Sequence, residues 1–125
     1  MQTFSKNERL CSKVLIERLV EKGKVFNHAP FRLSWMPIAE SSAPVKIMIS
    51  VPKRSFKRAV DRNRLKRQIR EAYRKEKQKV YDVLEDKKLL VMVIYTAKTK
   101  LEYREIAEKI SEALERLSRA AKEQA

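Results

Sequence analysis

The apolar positions change period twice in the first half of the chain. From about Ser12 to Lys22, Leu15, Ile16, Leu19 and Val20 recur at helical spacing and Gly23 supplies a C-terminal stop, so the spacing predicts a short amphipathic helix. Ser12 can cap it, while Ser5 with Glu8 also reads as a capping box that would start the helix a turn or two earlier. After Gly23 the period becomes two. Phe31, Leu33 and Trp35 alternate with Arg32, Ser34 and Met36 until Pro37 ends the run. Beyond a turn-rich stretch from Ala39 to Pro44, Val45, Ile47, Ile49 and Val51 alternate with Lys46, Met48 and Ser50. These two strands predict an antiparallel hairpin, with a further short strand near Val25 and Phe26.

Helical spacing returns from about Lys57 to Lys79, and the nearly continuous apolar run from Leu89 to Thr96 reads as a strand buried on both faces. The last segment, about Glu102 to Ala120, is a helix with Tyr103, Ile106, Ile110, Leu114 and Leu117 in one stripe. Helix, strands, helix, strand, helix is the order of an α+β fold, here a two-layer α/β sandwich. With 125 residues, 43% of them apolar, a single domain over residues 1–125 is expected to close one core.

Charge adds what periodicity cannot. Lys and Arg number 30 against 16 Asp and Glu, a formal net charge of +14, which points to a polyanionic partner and first of all to nucleic acid. The excess is local. From Lys53 to Lys79 there are 13 Lys and Arg against three acids, whereas from Lys100 to Ala125 the balance is six against six. At about 100° per residue, Leu65, Ile69, Ala72 and Tyr73 share the core side of the middle helix. Asn63, Arg67, Arg70 and Arg74 fall opposite, flanked by Arg62, Arg64 and Lys66. Guanidinium forks at this spacing can meet successive phosphates. Asp61, Glu71 and Glu76 are too few to neutralise the patch, and Lys53, Arg54, Lys57 and Arg58 extend it into the preceding loop.

Other chemistry is sparse. The single glycine, Gly23, excludes Gly-rich phosphate loops, and Cys11 has no cysteine to pair with and no activating base beside it. His28 is the only histidine, with no partner for a nucleophile and base pair; Asp82, Glu85 and Asp86 read as a polar turn rather than a two-metal site. No catalytic group or metal ligand is therefore expected on the protein. Phe31 and Trp35 read as core, while Phe56, set among cations, fits either core or stacking on a nucleic-acid base. No apolar stretch approaches the about 20 residues of a membrane span and the N-terminus lacks a signal-peptide core, so a soluble, cytoplasmic protein without membrane contact is expected.

The string AVDRNRLKRQIREAYR, Ala59 to Arg74, resembles the Arg-Asn-Arg signature of the bacterial ribonuclease P protein family, and NERLCSK resembles the arm that leads into that family's first helix. The resemblance covers about Phe4 to Leu117. It implies a ribosomal-protein-like fold with a left-handed strand-helix-strand crossover, against the general right-handed preference. It also implies a role as the protein subunit that helps a catalytic RNA remove the 5′ leader from precursor tRNA, as a monomer within the holoenzyme and not catalytic alone. Magnesium would be held mainly by the RNA and substrate. On this resemblance Arg62, Asn63, Arg64, Lys66, Arg67 and Arg70 contact the catalytic RNA or support its surface. Ile16, Val20, Arg32, Ser34, Met48 and Ser50 match the family's cleft for the single-stranded leader. The chain departs from the family where many members carry phenylalanine at the places of Ile16 and Val20 and often an aromatic at that of Ser34. The loop Pro52 to Arg58 is also one residue longer than usual and lacks the customary glycine. Competing readings are a ribosomal RNA-binding protein, a DNA-binding regulator, disfavoured because strands flank the basic helix, and a self-sufficient nuclease.

Overall fold

The computed structural model describes residues 8–39, 41 and 43–123. Its elements are α1 (Lys13–Lys22), β1 (Lys24–His28), β2 (Phe31–Ile38), β3 (Val45–Ser50), α2 (Ala59–Glu76), α3 (Gln78–Leu84), β4 (Lys88–Tyr95) and α4 (Tyr103–Glu123). The class is α+β, as the element order predicts.

Ser12 caps α1, its side chain accepting the Leu15 N–H at 3.4 Å. The earlier start is not used: Ser5 lies outside the described residues and Glu8 is bonded elsewhere. At the other end the Gly23 N–H donates to the Leu19 carbonyl at 2.8 Å from an extended, not left-handed, backbone. Glycine is required there because a Cβ would overlap the Leu19 carbonyl oxygen.

The sheet order is β1-β2-β4-β3. β2 is antiparallel to both β1 and β4, and β3 is parallel to β4. The expected hairpin between β2 and β3 is therefore not formed, because β4 lies between them. The reason is burial: β4 is apolar on both faces and takes an interior position, whereas β3, with half-buried Lys46 and Ser50, is tolerated at the edge. Parallel pairing of β3 and β4 requires a crossover, which α2 and α3 supply. Nor does Pro37 end β2. Pairing with β1 stops at Lys24 opposite Trp35, so Pro37, opposite Leu89, has a strand neighbour on one side only, where its missing N–H is tolerated.

Phe31, Leu33, Trp35, Val45, Ile47, Ile49, Leu89, Val91, Val93 and Tyr95 line one sheet face and pack against α2, α3 and α4. Phe56 joins this core, 5.9 Å from the Tyr95 ring, so packing and not RNA stacking occupies it. The opposite face holds Leu90 and Met92 under Leu10 and Leu19, with Leu15 and Ile16 partly buried. The sandwich thus has a partial third layer, α1. The single helix expected from Lys57 to Lys79 is two, α2 and α3. At Lys77 the chain tightens, with the Val80 N–H bonded to the carbonyl three residues back at 3.0 Å, and the Lys77 side chain turns inward. α3 follows with no three- or four-residue turn, so α2 and α3 do not make a helix-turn-helix pair, although the basic helix is not flanked directly by strands on both sides.

Candidate nucleic-acid interface

Leu65, Ile69, Ala72 and Tyr73 are all buried, which fixes the rotation of α2 about its axis. Asn63, Arg64, Arg67 and Arg70 consequently face solvent, with Lys66 at the margin. Among the described residues, none of these five makes a side-chain hydrogen bond or ion pair within the protein. Lys53, Arg54, Lys57 and Arg58 are exposed in the loop that enters the helix and continue the surface.

Other cations of the same run bond within the protein, Lys75 to Glu71 and Lys79 to Glu76 and Glu115 among them. Arg62 is half-buried, and its Nη1 donates to the carbonyls of Phe56 at 2.7 Å and Lys57 at 2.9 Å, tying the loop to the first turn of α2. Arg74 donates from Nε and Nη2 to the Glu71 carboxylate at 3.1 and 2.6 Å. That hydrogen-bonded pair holds the Glu71 carboxyl below its ordinary value and raises Arg74. Lys77 is buried against Glu8. The outward row expected from spacing therefore reduces to Asn63, Arg67 and Arg70, with Arg64 beside it.

The residues matched to a leader cleft lie on the other sheet face. The strand register sets Arg32 beside Ile94 and Ile94 beside Ser50, and one step along sets Ser34 beside Met92 and Met92 beside Met48. Arg32 is exposed, Met48, Ser50 and Ile16 are half-buried, and Ser34, 6% exposed, lies beneath the surface. Val20 is 64% exposed, one helical turn beyond Ile16. An open hollow of about 680 Å³ adjoins this face, lined among others by Arg32, Arg54, Ser55, Ile94, Thr96 and Lys98. Lys98 escaped the sequence reading; its signal was the Lys98-Thr99-Lys100 run placed directly after the central strand.

The two faces communicate around the edge of β3. Arg9 pairs with Ile47 in a parallel bridge, and the Leu10 N–H donates to the Ile47 carbonyl at 2.9 Å. Arg9, Cys11, Met48, Ile49 and Arg70 line a small hollow there. Met48 belongs to the strand rows described above and Arg70 to the α2 face, so the two faces meet at this hollow.

His28 ties β1 to α4 through Nε2, 2.9 Å from Glu112 Oε1. The hydrogen bond lowers the Glu112 carboxyl below its ordinary value. Asp82 accepts from Gln78 at 2.8 Å. Among the described residues no three His, Cys, Asp or Glu cluster as metal ligands, and no helix is long and apolar enough to cross a membrane.

Residues 4–118 match the family model described as Ribonuclease P. A protein from Porphyromonas gingivalis named Ribonuclease P protein component is 38% identical over 93 residues, 74% of this chain and 68% of that protein. Its namesake from Chlorobium phaeobacteroides is 32% identical over 90 residues, 69% of this chain and 62% of that one. The solved RNase P protein of Thermotoga maritima superposes with a TM-score of 0.71 at 23% identity, covering 87% of this chain and 96% of that one. The Staphylococcus aureus RNase P protein gives 0.74 at 22% identity, covering 90% and 96%.

Proposed function

This chain belongs to the ribonuclease P protein family, and from that membership we propose that it binds the catalytic RNA of ribonuclease P and assists removal of the 5′ leader from precursor tRNA. The observation that carries the reading is the outward face of α2: Asn63, Arg64, Arg67 and Arg70 stand exposed, without partners among the described residues, on a helix whose rotation four buried side chains fix. Two guanidinium forks one turn apart suit adjacent phosphates, and each neutralised phosphate releases counterions.

In this reading the substrate leader crosses the opposite face. Met48, Met92, Ile94 and Ile16 offer apolar contact to unpaired bases, while Arg32, Arg54 and Lys98 around the adjoining hollow attract the backbone. Such contacts are tolerant of sequence, as a subunit acting on many precursor tRNAs requires. The chain supplies positive potential where two RNAs approach, which lowers the magnesium needed to screen their repulsion. Magnesium is assigned to the RNA and substrate, and no chemical step is routed through a side chain of this protein.

Binding to the ribonuclease P RNA of the same organism, measured across a salt series, tests the assignment of α2. The Arg67→Ala/Arg70→Ala double variant is expected to weaken binding and to flatten the log affinity against log salt slope by about two, with an unchanged melting temperature. Unchanged affinity in a folded double variant removes the RNA from this face.

A further inference from the structure

We propose that Glu8 is a positioning residue for RNA binding, holding the arm before α1 so that Arg9 stands against Arg70; the inference rests on the reading of α2 as an RNA-binding helix. Glu8 is in no position to touch RNA itself. Its side chain is 9% exposed, and its Oε2 accepts from Lys77 Nζ at 2.6 Å and from the Tyr81 hydroxyl at 2.6 Å. Lys77 is equally buried, and its ammonium lies 5.5 Å from the centroid of the Tyr81 ring. Burial, and then the Glu8 carboxylate, push the Tyr81 hydroxyl well above its ordinary value, so it remains a donor.

A buried ion pair is weak grounds for stability, because desolvation offsets most of its attraction; its better attested use is to specify one arrangement among several. The arrangement here is concrete. Lys77 occupies the tightened turn between α2 and α3, and Glu8 is the residue before the one whose backbone bridges to Ile47. The arm is thereby pinned twice, by its backbone to the edge of β3 and by a side chain to the end of the basic helix. Between those points Arg9 and Cys11 form one wall of a hollow of about 120 Å³ and Arg70 reaches it from α2. Arg9 and Arg70 both line it and, among the described residues, no carboxylate does, which is the composition of a grip for one phosphate. Only if the arm is held does Arg9 complete the grip.

A double-mutant cycle separates positioning from plain stabilisation. One leg is Arg9→Ala. The other replaces the buried cluster by apolar groups of similar size, Glu8→Leu/Lys77→Met/Tyr81→Phe, a change often neutral for stability; Tyr81→Phe alone is the milder second variant. The readouts are affinity for the cognate ribonuclease P RNA over a salt series and hydrogen exchange of the Leu10 amide. Arg9→Ala in the parent is expected to flatten the salt slope by about one, and to change affinity less than twofold when the cluster is already replaced. The Leu10 amide should lose protection in the cluster variant while β4 amides keep theirs. Additive effects of the two legs, or a cluster variant with full affinity and slope, overturn the proposal. Arg67→Ala is the control: if it weakens binding while the cycle is additive, only the role of Glu8 falls, and if it too has no effect, the RNA-binding reading falls with it.

Discussion

The Arg62 guanidinium donates to the Phe56 carbonyl at 2.7 Å, bonding the first turn of α2 back to the loop that delivers it. Phe56 is itself buried beside Tyr95, so this bond connects the basic surface to the core. Arg62 and Arg67 are alike in sequence and unlike in duty. Arg62→Ala is expected to cost about 1 to 2 kcal/mol of stability, since two carbonyls lose a charged donor, and to weaken RNA binding as well. Arg67→Ala should weaken binding with stability unchanged. Thermal melts beside binding curves for the two variants check the distinction.

Val20 offers a test of the cleft. It is exposed one turn beyond Ile16, which itself packs on the face that holds Met48, Met92 and Ile94. Stacking on an aromatic side chain contributes about 1 to 3 kcal/mol per base. Val20→Phe should therefore tighten binding of precursor tRNA at least about fivefold and leave mature tRNA, which lacks the leader, unaffected. Equal changes for both RNAs would mean that the leader does not pass Val20.

The pair of His28 and Glu112 predicts a pH dependence. The hydrogen bond from His28 is the largest cause holding the Glu112 carboxyl below its ordinary value, with desolvation opposing and Lys109 at 3.4 Å assisting. A carboxyl lowered in the folded state stabilises the fold above its unfolded value and loses that contribution as pH falls through the folded value. His28→Gln should raise the Glu112 titration toward its ordinary value, followed by carboxyl NMR, and shift the onset of acid unfolding to higher pH. An unmoved titration would show that the contact carries no charge coupling.

Much of this was legible in the chain. Alternation at Val45, Ile47 and Ile49 and the unbroken run from Leu89 named the strands because side chains on a pleated sheet must alternate or be buried on both faces. The buried stripe of α2 fell where spacing put it. Strand order was not legible. Periodicity says which residues share a face but not which strand lies beside which, and β4, distant in sequence, displaced the local hairpin of β2 with β3. Within the basic run, spacing could not distinguish Arg67, turned to solvent, from Lys77, turned to a carboxylate 69 residues away in sequence. That partner, Glu8, lies in an arm without periodicity, so no local signal disclosed the pairing.

Cleavage of a precursor tRNA at low magnesium by the cognate ribonuclease P RNA, with and without this protein and with the protein alone, tests directly whether the chain assists a catalytic RNA. Correct 5′ cleavage is expected when RNA and protein are combined, little with RNA alone at that magnesium, and none with protein alone. Cleavage by the protein alone, or no effect of the protein on the RNA, would contradict that role.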